Sequence, residues 1–265
     1  MKKFDITTHE NGTHSLRELS SGEAMHSRIG PEREAESIYL RQSRLLERLR
    51  TGSEPLVLWD VGMGTAANVL IALRQLRESP THRVFEVHSF ESELSGIETA
   101  LEQSHHFPFL ANFTDLVREL LKSKKVTAES FAWTLHEGDF FETMHEASPP
   151  DILFYDFYAP RVCPELWSVE RFSQIRSTIG EHPCDLYTYT ASTAVRAAML
   201  RAGFYVGSGS GTELKLESTS ASTVLERVEN PLGVKWLEKL SRSGSIPASE
   251  LKSIRSEILR SRQFT

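Results

Sequence analysis

"VLWDVGMGTAANVL", residues 57–70, reads as an apolar strand that stops at Asp60, turns through Gly62 and Gly64 and restarts as a helix. A strand, a glycine turn and a helix N-terminus together make a cradle for the polar part of a nucleotide or nucleoside. No Gly-Lys-Ser/Thr follows, so the lysine of a phosphate-binding Walker loop is missing. The turn is also one glycine short of the G-x-G-x-x-G dinucleotide fingerprint. Ala67 stands at the third position, a replacement that fingerprint tolerates. The turn alone therefore leaves a dinucleotide and a phosphate-free nucleoside both open.

Working outward, the pattern alternates. Apolar runs "LVLWDV", "VFEVHSF", "FAWTLHE", "DILFYDF" and "CDLYTYT" are separated by the helical stretches "AANVLIALRQLRE", "FTDLVRELLKSKK" and "PELWSVERFSQIRSTIG". Such alternation predicts an α/β fold: a mostly parallel sheet with helices on both faces. "AGFYVGSGSGTELKLESTSA" predicts a terminal β-hairpin rather than another crossover. A hairpin closing a parallel sheet is the pattern of a class I, Rossmann-like methyltransferase. Ahead of the core, "FDITTHENGTHSLREL" predicts a hairpin about Asn11-Gly12, and "PEREAESIYLRQSRLLERLR" predicts one helix running to about Arg50. After it, two helices are expected with a break at 244–247. The organisation expected is residues 1–52 as an N-terminal hairpin and helix, 53–223 as the core, and 224–265 as a helical extension.

Ligands of such sheets sit beyond the carboxyl ends of the strands, and acids stand there. Asp60 ends one strand and Glu91 the next, where a carboxylate can take both hydroxyls of a ribose. "HEGDF" puts Asp139 and Phe140 past a third strand end, suited to an adenine. Taken singly, each acid is more simply a helix cap or loop residue. Together they favour S-adenosyl-L-methionine (SAM) over a nicotinamide dinucleotide. "DILFYDFYAP" then ends a buried strand at Asp156, directed at the methyl group to be transferred. Phe157 and Tyr158 follow, able to pack on a base or amine.

The composition adds limits. The chain has 265 residues, 39% hydrophobic and 25% charged, with formal net charge −6. Only Cys163 and Cys184 occur, without histidine ligand spacing, so neither a disulfide framework nor a metal site is expected. No apolar run reaches membrane-spanning length, so no membrane partner is expected and the expected location is cytoplasmic. The acidic balance disfavours indiscriminate nucleic-acid binding. Two basic clusters stand against it: Arg28, Arg33, Arg41, Arg44, Arg48 and Arg50, and eight Lys/Arg within 224–265. Either is a candidate RNA face or a solvated helix face.

These residues resemble a family, the methyltransferase domain of the bacterial tRNA-modifying enzymes that finish 5-methylaminomethyl-2-thiouridine at the wobble position (MnmC type). Its loop G-[FM]-G-T-x-x-N-x-L is matched by Gly62, Met63, Gly64, Thr65, Asn68 and Leu70. Its S-[FI]-E is matched by Ser89, Phe90 and Glu91. Its D-G-F-A-P block is matched by Asp156, Tyr158, Ala159 and Pro160, with Phe157 in place of the glycine, and is followed by Pro164, Glu165, Leu166 and Trp167. Its T-[FY]-T block is matched by Thr188, Tyr189, Thr190, Ala191, Val195 and Arg196. "GEAMHSRIGPEREAESIY" resembles its N-terminal signature, and the resemblance covers most of the chain.

The resemblance implies SAM as cofactor, held by Asp60, Gly62, Gly64, Thr65, Asn68, Glu91, Asp139, Phe140 and Asp156. It implies catalysis at Asp156 and Tyr158, and substrate contacts at His26, Tyr158, Pro160, Arg196 and Lys215. It implies wobble-position tRNA as partner, and a stand-alone methyltransferase without the flavin oxidase of bifunctional members. The alternatives are a SAM-dependent methyltransferase acting on a small amine or a protein, a nicotinamide-linked oxidoreductase, and a catalytically silent RNA-binding protein.

Overall fold

The computed structural model describes residues 3–212, 216–244 and 246–265. Among the described residues ten strands run β1 (Phe4–Thr8), β2 (His14–Glu18), β3 (Leu56–Val61), β4 (Phe85–Glu91), β5 (Lys125–Ala128), β6 (Phe131–Glu137), β7 (Ile152–Tyr155), β8 (Asp185–Thr188), β9 (Tyr205–Ser210) and β10 (Glu217–Ser222). The helices are α1 (Pro31–Glu34), α2 (Leu45–Arg50), α3 (Ala67–Glu78), α4 (Ser95–Glu102), α5 (Thr114–Ser123), α6 (Phe140–Thr143), α7 (Val169–Ile179), α8 (Thr193–Arg201), α9 (Val234–Ser241) and α10 (Ala248–Ile258).

The main sheet has the order β5-β6-β4-β3-β7-β8-β10-β9. Its five central strands, β6 to β8, are parallel. All six residues of β3 are buried, as a strand covered on both faces requires. One apolar core lies between the sheet and α3, α4 and α5, the other between the sheet and α7 to α10. This is the α/β architecture of a class I methyltransferase. No helix among the described residues is long and apolar enough to cross a membrane.

The end of the sheet differs in one respect from the expectation. β9 and β10 do form a hairpin, but β9 is reached by a crossover through α8, and β10 returns antiparallel between β8 and β9. The outer strand is therefore placed first and the gap filled second, an order no local turn signal encodes.

The N-terminal hairpin forms about Asn11-Gly12, with Gly12 at φ 79° and Asn11 Oδ1 accepting from Thr13 N at 3.1 Å. Phe4 and Leu16 seat it on the core beside α3 and α4. The single helix expected over 31–50 is broken. A π-helical stretch spans Ala35–Leu40, and Arg44 takes a left-handed φ of 52° before α2. Tertiary contacts at the break explain it: Gln42 Oε1 accepts from Ser210 N at 2.9 Å, and its Nε2 donates to Ser218 Oγ at 2.9 Å. The helical pattern is thus interrupted where one side chain leaves it to hold β9 and β10. α9 and α10 form on either side of the expected break and pack on α8.

Candidate active site

A cavity of about 590 Å³ lies at the carboxyl ends of β3, β4 and β7, closed from outside by the N-terminal hairpin and the segment after it. Its size falls within the range of small-molecule sites. Among its lining residues are Gly62, Gly64 and Asn68 of the glycine turn and α3, Glu91 of β4, Asp156 and Tyr158 after β7, and His26 from the N-terminal segment.

The glycines of the turn do different things. Gly62 has φ 81°, and a Cβ there would lie 2.7 Å from the Asp156 carbonyl oxygen. Only a residue without a side chain lets β3 and β7 end this close together. Gly64 has φ 54°, but the nearest atom to a Cβ placed there would be Met25 Sδ, at 3.8 Å. Its N–H donates to Glu91 Oε2 at 2.9 Å, while Glu91 Oε1 accepts from Glu93 N at 3.0 Å. The Glu91 carboxylate is thus fixed over the turn, and burial raises its pKa.

Behind the cavity wall Asp60 is wholly buried, and its Oδ2 accepts from Ser89 Oγ at 2.8 Å, which in turn accepts from Trp133 Nε1 at 2.9 Å. Asp60 Oδ1 has no protein partner, and burial pushes the carboxyl up to about 6. Asp156 Oδ2 accepts from Asn68 Nδ2 at 3.0 Å. Burial first, then the nearby Glu34 carboxylate, raise Asp156 to about 7. The buried Tyr39 hydroxyl lies near the same carboxyl without a hydrogen-bond partner. The Tyr158 hydroxyl is buried without a hydrogen-bond partner, while its backbone carbonyl accepts from Trp167 Nε1 at 3.0 Å.

The roof is tied down from several sides. His26 Nε2 is 3.0 Å from Thr65 Oγ1, and Glu34 Oε2 accepts from Ser27 N at 2.9 Å. Burial lowers His26 to about 4, so its ring is neutral at physiological pH. Lys3 pairs with Glu93, and Arg161 pairs with Glu23 through both guanidinium nitrogens, at 2.5 and 2.9 Å.

The raised carboxyls have a consequence for stability. A carboxyl whose folded pKa lies above its unfolded value binds protons more tightly when folded, so its stabilisation is complete at low pH and is lost as pH rises through the folded value. For Asp156 that window runs from about 3.8 to about 7, worth on the order of 4 kcal/mol at most. Asp156→Asn is therefore expected to raise the melting temperature above that of the wild type by more at pH 8 than at pH 5. Coincident melting-temperature-against-pH curves for the two proteins would refute this.

Several expected site residues lie elsewhere. Thr65 and Asp60 stand behind the cavity rather than on its surface. Asp139 is exposed and caps α6, accepting from Phe141 N at 2.7 Å, and Phe140 is buried against Trp59 and Phe90. Pro160 lines an adjoining groove. Arg196 is 1% exposed, donating to Thr219 Oγ1, the Ser218 carbonyl and Glu217. Its guanidinium holds β10 against α8 and is turned away from the cavity. Lys215 lies outside the described residues. Glu34, Met25 and Arg161 line the cavity without having been singled out by the sequence. Glu34 had one signal: it lies in "GEAMHSRIGPEREAESIY", the stretch that resembles the family's N-terminal signature.

The basic clusters are partly consumed internally. Arg48 donates to Asp185 at 2.8 Å, Arg44 pairs with Glu47, and Arg262 donates to Glu226 at 3.0 Å. Arg28 of the first cluster lines the cavity, beside Arg17 of β2.

The site residues fit SAM. The glycine turn lines the cavity, Glu91 offers a fixed acceptor beside it, and Asp60, Glu91, Glu34 and Asp156 set a negative potential suited to a sulfonium cation.

Comparison with known proteins agrees. A family of S-adenosyl-L-methionine-dependent methyltransferases matches residues 106–224. The tRNA 5-methylaminomethyl-2-thiouridine biosynthesis bifunctional protein MnmC of Vibrio campbellii is 26% identical over 74% of this chain and 32% of its own length. MnmC of Pseudomonas putida is 28% identical over 72% of this chain and 31% of its own length. The chain thus spans about a third of these curated relatives. The crystal structure of MnmC2 from Aquifex aeolicus superposes with a TM-score of 0.74 at 25% identity, covering 98% of this chain and 85% of that one. With the fold, the cavity and these likenesses in agreement, the chain is a class I S-adenosyl-L-methionine-dependent methyltransferase that is similar to the MnmC enzymes.

Proposed function

We propose that the chain methylates the primary amine of 5-aminomethyl(-2-thio)uridine at the wobble position of tRNA, giving the 5-methylaminomethyl product. The observation that carries this reading is Asp156, a partly buried carboxyl raised to about 7 in the wall of the cavity that also holds the glycine turn and Tyr158. Relatives named for the biosynthesis of this nucleoside support the same choice of substrate.

In this reading Gly62, Gly64 and Asn68 receive SAM at the turn, and Glu91 accepts its ribose hydroxyls. Bound SAM supplies an electrophilic methyl group. An amine attacks only when unprotonated, and a carboxylate of ordinary pKa is too weak a base to help. Asp156, lifted to about 7 by burial, matches an amine far better. Asn68 holds Oδ2, which leaves Oδ1 to accept from the amine, orient its lone pair and stabilise the ammonium product. The unpartnered Tyr158 hydroxyl is a second polar contact for the substrate. Neutral His26 adds no positive charge beside a cationic cofactor. Alignment within such a closed cavity supplies much of the remaining acceleration.

Glu91→Gln is expected to weaken SAM binding about 10- to 100-fold, the range for losing hydrogen bonds to an ionised acceptor. Calorimetric titration measures this, and an unchanged affinity removes Glu91 from the cofactor site. The function itself is tested by incubating purified protein and labelled SAM with bulk tRNA from cells lacking the modification, followed by nucleoside analysis. A labelled 5-methylaminomethyl nucleoside supports the reading. Intact SAM binding with unlabelled tRNA refutes it and points to a small amine.

A further inference from the structure

A second concavity, about 780 Å³, opens beside the cofactor cavity, and the two share Ala159, Arg161 and Tyr189. Pro160, Pro164 and Trp167 from the segment after β7 line it together with Ala191 and the fully exposed Leu216. Its charged residues among those described are Arg161 and Glu217. Glu217 is already engaged with Arg196 at 3.0 Å and Lys239 at 3.6 Å. Arg161 is 70% exposed and holds Glu23 of the roof.

We propose that this groove binds the single-stranded RNA flanking the methylated nucleotide, with its apolar residues packing against a neighbouring base and Arg161 exchanging Glu23 for a backbone phosphate. The inference rests on the tRNA reading above. Asp156 is only partly accessible and sits in the wall of the cavity, so a nucleotide that delivers an amine to it must leave its stack, as base-modifying enzymes require. Its neighbours in the strand then remain at the cavity mouth, where the groove begins. The exposed Pro164 and Leu216 offer an apolar surface that suits a base whatever its identity, and one exposed guanidinium at the junction suits one phosphate. A peptide would instead need partners for its backbone N–H and C=O groups, and this lining is dominated by apolar side chains. Release of Glu23 would also loosen the roof as RNA docks, coupling substrate arrival to the cavity's opening.

The test compares two substrates for the same enzyme: the free nucleoside 5-aminomethyluridine and an anticodon stem-loop carrying it. The wild type should favour the stem-loop. Leu216→Glu, at a fully exposed position where folding is not at stake, should lower kcat/KM for the stem-loop about tenfold, the range for losing one stacked base. Turnover of the nucleoside should change less than about twofold. Arg161→Gln should flatten the dependence of log KM on log salt for the stem-loop by about 0.7. Equal losses on both substrates, or none on either, would overturn the groove assignment while leaving the tRNA reading intact. A wild type that methylates the nucleoside no worse than the stem-loop would overturn it too. Failure to methylate either substrate would overturn the tRNA reading, and the groove assignment with it.

Discussion

Asp156→Ala is expected to reduce methyl transfer at saturating SAM by at least about 10²–10³-fold, the range for removing a general base or a charge-stabilising group. SAM affinity should change by less than about tenfold, under 1.4 kcal/mol. The separation follows from the cavity's construction. Asp156 is held by Asn68 and raised by burial, whereas the fixed acceptor over the glycine turn is Glu91. Asp156→Asn serves as the companion variant, since it keeps the shape and removes the charge. A similar loss in both variants assigns the effect to the carboxylate itself. If either variant loses SAM binding while transfer per bound cofactor survives, Asp156 belongs to the cofactor and the amine must be handled elsewhere. The wild-type rate should also rise with pH as Asp156 ionises near 7, and that limb should disappear in Asp156→Asn.

The second large effect is expected at Gly62. A Cβ there meets the Asp156 carbonyl oxygen at 2.7 Å, in a backbone with φ 81°. Gly62→Ala must either push β7's end away or abandon the turn. We expect a destabilisation of about 3 kcal/mol from strain and overlap, roughly 6–12 °C in melting temperature, with SAM affinity down about 100-fold. Gly64→Ala provides the contrast. Its φ of 54° is left-handed, but a Cβ there would have its nearest neighbour 3.8 Å away, so only about 1 kcal/mol of conformational cost applies. Thermal melts and SAM titrations of the pair test this directly. Equal damage from both would show that backbone conformation governs the turn, with the approach of Asp156 playing no part.

Much of the architecture is legible in the chain because its signals are short-range. "LVLWDV" and "FAWTLHE" coincide with β3 and β6 residue for residue. A parallel strand covered on both faces needs a short, nearly continuous apolar run, and the β-branched and aromatic residues in these runs separate it from a buried helix. The positions of Asp60, Glu91 and Asp156 at neighbouring strand ends follow from the same runs, as does the approximate location of the cavity. Less local features are not legible. The helix expected over 31–50 has the right periodicity and still breaks, since Gln42 binds β9 and β10 across 168 and 176 residues of sequence. The short strand β5 ("KVTA") is hidden in the same way, because four residues directly after a helix carry too little pattern and strand character arises there from pairing with β6.

By itself the sequence determined the alternation that makes a covered parallel sheet, the glycine turn, and the acids that follow its strands. Those depend on periodicity and turn chemistry within a few residues. Only the tertiary structure decided that the N-terminal hairpin roofs the cavity, that Glu34 joins Asp156 there, and that Arg196 is spent on β10. It also decided that Asp139 caps a helix outside the cavity, and that Asp156 is carried from an ordinary carboxyl to one near 7. A side chain's partners and its desolvation are properties of packing, set by elements distant in the chain, and the energy of a charge depends on what surrounds it rather than on what precedes it.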